Sequence, residues 1–140
     1  MAGSIPVQPG DVIHYAYLWA YEDREGLVEG RKDRPCAVMI VHASKHLVGV
    51  CPITHTPPNA DQGVLVPPVT CARLGLDDQA PCWIITTEMN QFVWPGPDIR
   101  KAPSGQQSYG LMPAALFNKV RTQLLTNQAR GLKVILRTND

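Results

Sequence analysis

The chain has almost no net charge, few aromatic residues and no long apolar run, and each shortage excludes something. Thirteen lysines and arginines oppose twelve aspartates and glutamates, a formal charge of +1 at pH 7. So weak a field exerts little long-range pull on a polyanion. This argues against a nonspecific nucleic-acid coat protein and leaves room for a local basic site that holds one or two phosphates. The longest apolar runs, such as CAVMIV, fall far short of the roughly 20 residues that cross a bilayer. The opening MAGSIPVQPGD lacks a basic segment followed by a hydrophobic one, so a cytoplasmic protein without membrane association is expected. The four cysteines, Cys36, Cys51, Cys71 and Cys82, show neither a CxxC pair nor zinc-finger spacing, and they read as small buried hydrophobes. No metal site and no cofactor is expected. The βαβ alternation of a nucleotide-binding domain is missing too, and GLDDQ and WPGP are not phosphate loops.

What is present is enough apolar material for one core: 44% of 140 residues, a single domain spanning 1–140. DVIHYAYLW, with its β-branched and aromatic residues after a Pro-Gly turn, predicts a strand from Asp11 to Trp19. AYEDREGLVEGRKDR is too polar for core and predicts a long surface loop. CAVMIV and LVGVCPI, joined by HASKH, predict a hairpin, because so short a link is more economical as a turn than as a crossover. GVLVPP and CWIITT predict further strands, and the prolines of WPGPDIRKAPSG forbid a regular central one. In PAALFNKVRTQLLTNQARG, Leu116, Phe117, Val120, Leu124 and Leu125 recur at helical intervals behind Pro113, and LKVILR resumes a strand pattern. The sum is a mainly β chain with α additions: a small, strongly bent antiparallel sheet or barrel with a helix against one end or face.

Arg34 stands where a polar loop meets a buried strand. Pro35 holds it in extended backbone, and a guanidinium fork there suits a phosphate or carboxylate. The competing reading pairs it with Asp33 or Glu29. Thr54 and His55 end the second hairpin strand, so the pairing brings them towards Arg34. A threonine hydroxyl can position a phosphate, whereas a histidine can move a proton near neutrality. Arg31 and Lys32 either guide an anionic ligand or solvate the loop. Tyr15, Tyr17 and Trp19 repeat at period two, which suits packing, an interface or base stacking. Glu88, Asn90 and Gln91 lie after CWIITT, within reach of a substrate from a strand end.

Taken together, PGDVI, EGRKDRPCAVMIV and VCPITHTPP resemble the PemK/MazF-type growth inhibitors of bacterial toxin–antitoxin pairs. The likeness extends more loosely through GLDDQAPCWIITTEMNQF and the late helix to LKVILRT. The resemblance implies an SH3-like small barrel with a C-terminal helix and a homodimer. It also implies a metal-independent endoribonuclease that cuts single-stranded RNA through its 2'-hydroxyl, leaving a 2',3'-cyclic phosphate and a 5'-hydroxyl. A cognate antitoxin is the implied protein partner. Arg34 matches the arginine of the family's RP element, and Thr54 matches the threonine ending the later strand. With His55 as proton carrier these form the expected catalytic set, and Arg31, Lys32, Glu88, Asn90 and Gln91 form the expected substrate contacts. TEMNQFVW departs from the family pattern, with Asn90 or Gln91 at the usual arginine and Val93 near the usual aspartate. A variant site, a different RNA preference, and a catalytically inactive SH3-like module that binds RNA or protein all remain open at this point.

Overall fold

The computed structural model describes residues 5–27, 30 and 32–137. Strand β1 (Asp11–Tyr15) leads into a short helix α1 (Ala20–Arg24), followed by β2 (Arg34–His42) and β3 (Leu47–Thr54). Next come β4 (Gly63–Val66), helix α2 (Pro68–Leu74), β5 (Cys82–Ile85) and β6 (Glu88–Val93). Two short strands, β7 (Ile99–Arg100) and β8 (Gly110–Leu111), precede helix α3 (Ala114–Ala129) and the last strand, β9 (Lys133–Leu136).

Several boundaries move from their expected places. The first strand stops at Tyr15 rather than Trp19, and the polar stretch after it holds α1, because Glu22 turns back to accept a hydrogen bond from the Trp19 amide at 3.0 Å. In VPPVTCARLG the prolines do stop a strand, but they also start α2. Pro68 sits in the first turn, where no amide donor is needed, and Gly75 closes the helix at φ +72°.

The central β2–β3 hairpin is antiparallel, with a register shift between Val38 and Ile40. Strand β3 is the hub: its first half pairs with β6, and its last residues, Ile53 and Thr54, pair with β5. The pairing path runs β4-β5-β3-β2-β1-β7, with β8 on β1 and β9 beyond β6.

The expected SH3-like barrel does not form: this nine-stranded sheet stays open. Closure needs margin strands long enough to pair with each other. β7 and β8 are two residues each, and Pro95, Pro97 and Pro103 around them withhold ladder donors. The architecture is also mixed α/β rather than mainly β. Strand β9 runs parallel to β6, an arrangement that requires a long connection, here one containing α3.

Alternation along the strands fills both faces of the sheet. One face sends Val12, Ala37, Met39, Cys51, Ile53 and Met89 against Leu116, Val120 and Leu124 of α3 and Leu74 of α2. The other gathers Ile13, Tyr15, Cys36, Val38, Val48, Val50 and Phe92. There the Tyr15 and Phe92 rings stack at 4.6 Å although β1 and β6 are not neighbours in the sheet, so the sheet bends strongly enough to face itself. Tyr15 and Tyr17 are thus core residues, and Leu125, expected on the apolar face of α3, is instead exposed.

Candidate functional site

The bend and the hairpin together build a cleft of about 670 Å³. Cys36 faces Pro52 across the hairpin, so two residues further along Arg34 arrives level with Thr54. The Arg34 Nη1 donates to the Ile53 carbonyl at 3.3 Å, and its guanidinium carbon lies 5.0 Å from the centre of the Trp19 ring. A cation over an aromatic face is held in place without being neutralised. Among the described residues no carboxylate pairs with Arg34. Asp33, the suspected partner, is 3.5 Å from Arg100 instead. The Arg34 Nε is buried without a hydrogen-bond partner among the described residues.

Thr54 and His55 line the same cleft. The Thr54 hydroxyl accepts from the Thr56 amide at 3.1 Å, which tightens the turn into Pro57 and Pro58 and leaves its proton available to a ligand. His55 is half exposed on the rim. Its Nδ1 is 3.2 Å from the Pro81 carbonyl, a contact that calls for a proton on that nitrogen, and its Nε2 lies 3.5 Å from Asp77.

Glu88, the first residue of β6, brings a carboxylate to this cleft. One oxygen, Oε1, accepts from the Tyr17 hydroxyl at 3.1 Å and from the Ala20 amide at 2.8 Å. Burial is the larger influence and raises the Glu88 pKa above its ordinary value of 4.5; the two hydrogen bonds and the cations of Lys133 and Arg24 oppose it. Burial, reinforced by Glu88, also raises the Tyr17 pKa well above 10, so Tyr17 stays a phenol and donates.

The other expected contacts are distributed unequally. Lys32 is exposed and lines the cleft; Arg31 and Glu29 lie outside the described residues. Asn90 and Gln91 are not among the lining residues. Asn90 is fully buried: its Oδ1 accepts from the Leu18 amide and from Arg137 Nη1, and its Nδ2 donates to the Leu18 carbonyl, at 2.8 to 2.9 Å. Gln91 lends its carbonyl to the Arg137 amide at 2.8 Å. Arg137 also donates to the Ala16 carbonyl and forms an ion pair with Asp98 at 2.9 Å, both side chains nearly inaccessible.

The stretch TEMNQFVW therefore splits. Glu88 faces the cleft, and Asn90 anchors the chain that carries Trp19 beneath Arg34. Sequence reasoning missed Asp77, Tyr21 and Thr87 in the cleft wall, and it missed the Arg137–Asp98 pair altogether. The one available signal was charge inside otherwise apolar or proline-bound segments, LKVILR and GPDIR. Among the described residues no group of three or more histidine, cysteine or acidic side chains is placed to hold a metal, and no helix is long and apolar enough to cross a membrane.

No protein-family model matches the chain, and no curated protein matches it in sequence. Among solved structures, the fold matches a chain in the crystal structure of MazE–MazF (form III) from Deinococcus radiodurans. The TM-score is 0.51 and the identity 15%, over 88% of this chain and 96% of that one. The chain has a PemK/MazF-like fold.

Proposed function

We propose that this chain, on a PemK/MazF-like fold, is an endoribonuclease that cleaves single-stranded RNA without a metal and acts in the cytoplasm as the toxin of a toxin–antitoxin pair. The observation that carries the reading is Arg34, a guanidinium set over an aromatic ring at the mouth of a cleft, with no carboxylate partner among the described residues and with Thr54 and His55 beside it. The scissile phosphate sits against Arg34, which meets the charge that gathers on the phosphoryl oxygens in the transition state. The Thr54 hydroxyl donates to the same group. The adjacent 2'-hydroxyl attacks, the 5'-oxygen leaves, and the products are a 2',3'-cyclic phosphate and a 5'-hydroxyl. His55 carries a proton once the strand displaces its exposed contact with Asp77. Lys32 and Arg31 hold flanking phosphates.

Matched RNA and DNA oligonucleotides of mixed sequence, incubated with the protein in EDTA and mapped at their ends, test this reading. Cleavage of RNA alone with 5'-hydroxyl ends is expected. EDTA-sensitive cleavage leaving 5'-phosphates would contradict it.

A second reading is a binding module without activity, and it is favoured by the absence from the cleft lining of both Asn90 and Gln91, where the family's arginine would fall. Oligonucleotide or antitoxin binding without cleavage is its signature. The homodimer is part of the first reading; light scattering that gives a monomer across the working concentrations would remove it.

A further inference from the structure

Among the described residues the cleft holds few groups that can accept a proton from an attacking hydroxyl. Arg34 and Lys32 bring hydrogen-bond donors and no acceptor. The Thr54 hydroxyl is a poor base and already takes a hydrogen bond from Thr56. His55 has Nδ1 on the Pro81 carbonyl and Nε2 beside the Asp77 carboxylate, an arrangement that suits it to give a proton rather than take one. Asp33 is engaged by Arg100, and Asp77 is exposed beside His55 at the rim.

Glu88 differs from all of these. Tyr17 and Ala20 fix one of its oxygens, no hydrogen bond to the other is found among the described residues, and the side chain lines the cleft. A carboxylate with one anchored oxygen is oriented; the second is left for chemistry.

We propose that Glu88 is the proton acceptor of the cleavage step and not merely a substrate contact, an inference that rests on the ribonuclease reading above. The O2'–H bond breaks and its proton passes to Oε2 of Glu88 as the O2'–P bond forms. The P–O5' bond breaks, and the 5'-oxygen takes a proton from protonated His55. Glu88 then returns its proton to solvent, and His55 takes one back from solvent. The groups that set its ionisation face it from every side: Tyr17, Cys51, Arg24 of α1 and Lys133 of β9. Partial burial raises its pKa and makes it a stronger base than an exposed glutamate.

The test compares wild type with Glu88→Gln, whose amide oxygen keeps both anchoring hydrogen bonds. The substrates are an RNA oligonucleotide carrying the mapped cleavage site and the same RNA with sulfur replacing the 5'-bridging oxygen there. Sulfur leaves without a proton, so it removes the need for an acid and leaves the need for a base. Glu88→Gln is expected to lose about 100-fold or more on both substrates. Wild type is expected to show an acidic limb in its pH–rate profile shifted upward from that of an exposed glutamate, and Glu88→Gln is expected to lose it. If wild type cuts neither RNA, the ribonuclease reading itself falls. If wild type cuts and folded Glu88→Gln cuts within about threefold of it, only the assignment of Glu88 falls. A defect erased by the sulfur substrate would make Glu88 the acid and overturn its role as base. The wild-type profile needs no variant: a rate flat through the carboxylate range would overturn the proposal even if the variant does not fold.

Discussion

Replacing Arg137 by methionine removes a charge whose partners among the described residues, Ala16, Asn90 and Asp98, are interior. The Arg137 side chain is 3% exposed and that of Asp98 is 9% exposed, so without the guanidinium the buried Asp98 carboxylate loses its ion-pair partner among the described residues. The Ala16 carbonyl loses a donor, and Asn90 loses one of the two donors to its oxygen. Breaking a buried pair from one side costs about 3 to 5 kcal/mol, mostly the penalty on the charge left behind. Against the roughly 5 to 15 kcal/mol that holds a domain folded, that is a large fraction, and it corresponds to a melting temperature lower by about 10 to 20 °C. Urea titration followed by tryptophan fluorescence measures it directly. The double variant Arg137→Met with Asp98→Leu, which removes both charges, is expected to recover at least half of the loss. The reasoning fails if the single variant is within about 0.5 kcal/mol of wild type, or if the double variant is no more stable than the single one.

Two further outcomes follow from buried ionisable groups. A Glu88 carboxyl whose folded pKa lies above its unfolded value adds stability below the unfolded value and loses that contribution as pH rises through the folded one. Wild type should therefore lose stability relative to Glu88→Gln as pH is raised through and above the carboxylate range, and urea midpoints at a series of pH values check this; a constant gap would refute it. The thiols are inaccessible, and burial pushes Cys51 and Cys82 up to about 12 and Cys36 higher still. A thiol-specific disulfide reagent at mild alkaline pH should find no fast-reacting cysteine in the native chain and all four after denaturation.

The legible parts of the fold were those with local causes. The β2–β3 hairpin follows from two apolar runs separated by HASKH, and α3 from leucines at helical spacing behind a proline. Helices α1 and α2 were missed because five and seven residues are too few to show a period, and because paired prolines mark a helix start as well as a strand end. Openness of the sheet depends on whether distant margins meet, which no window of sequence contains. In the cleft, the hairpin pairing accounts for Arg34 and Thr54 coming together, with His55 next in the chain, and the resemblance singled out the first two. Glu88 was seen as a residue, whereas its anchoring by Tyr17, 71 positions away, was not. Asn90 looked like a substrate contact because its partners, Leu18 and Arg137, lie 72 and 47 positions away.

The central claim is that Arg34 makes this cleft a ribonuclease site. The direct measurement is the single-turnover cleavage rate of one RNA oligonucleotide by wild type and by Arg34→Ala, with equal folding verified by urea midpoint. Losing one preorganised transition-state donor predicts a rate lower by about 100- to 1,000-fold with the product ends unchanged. Equal rates for two folded proteins would contradict the account.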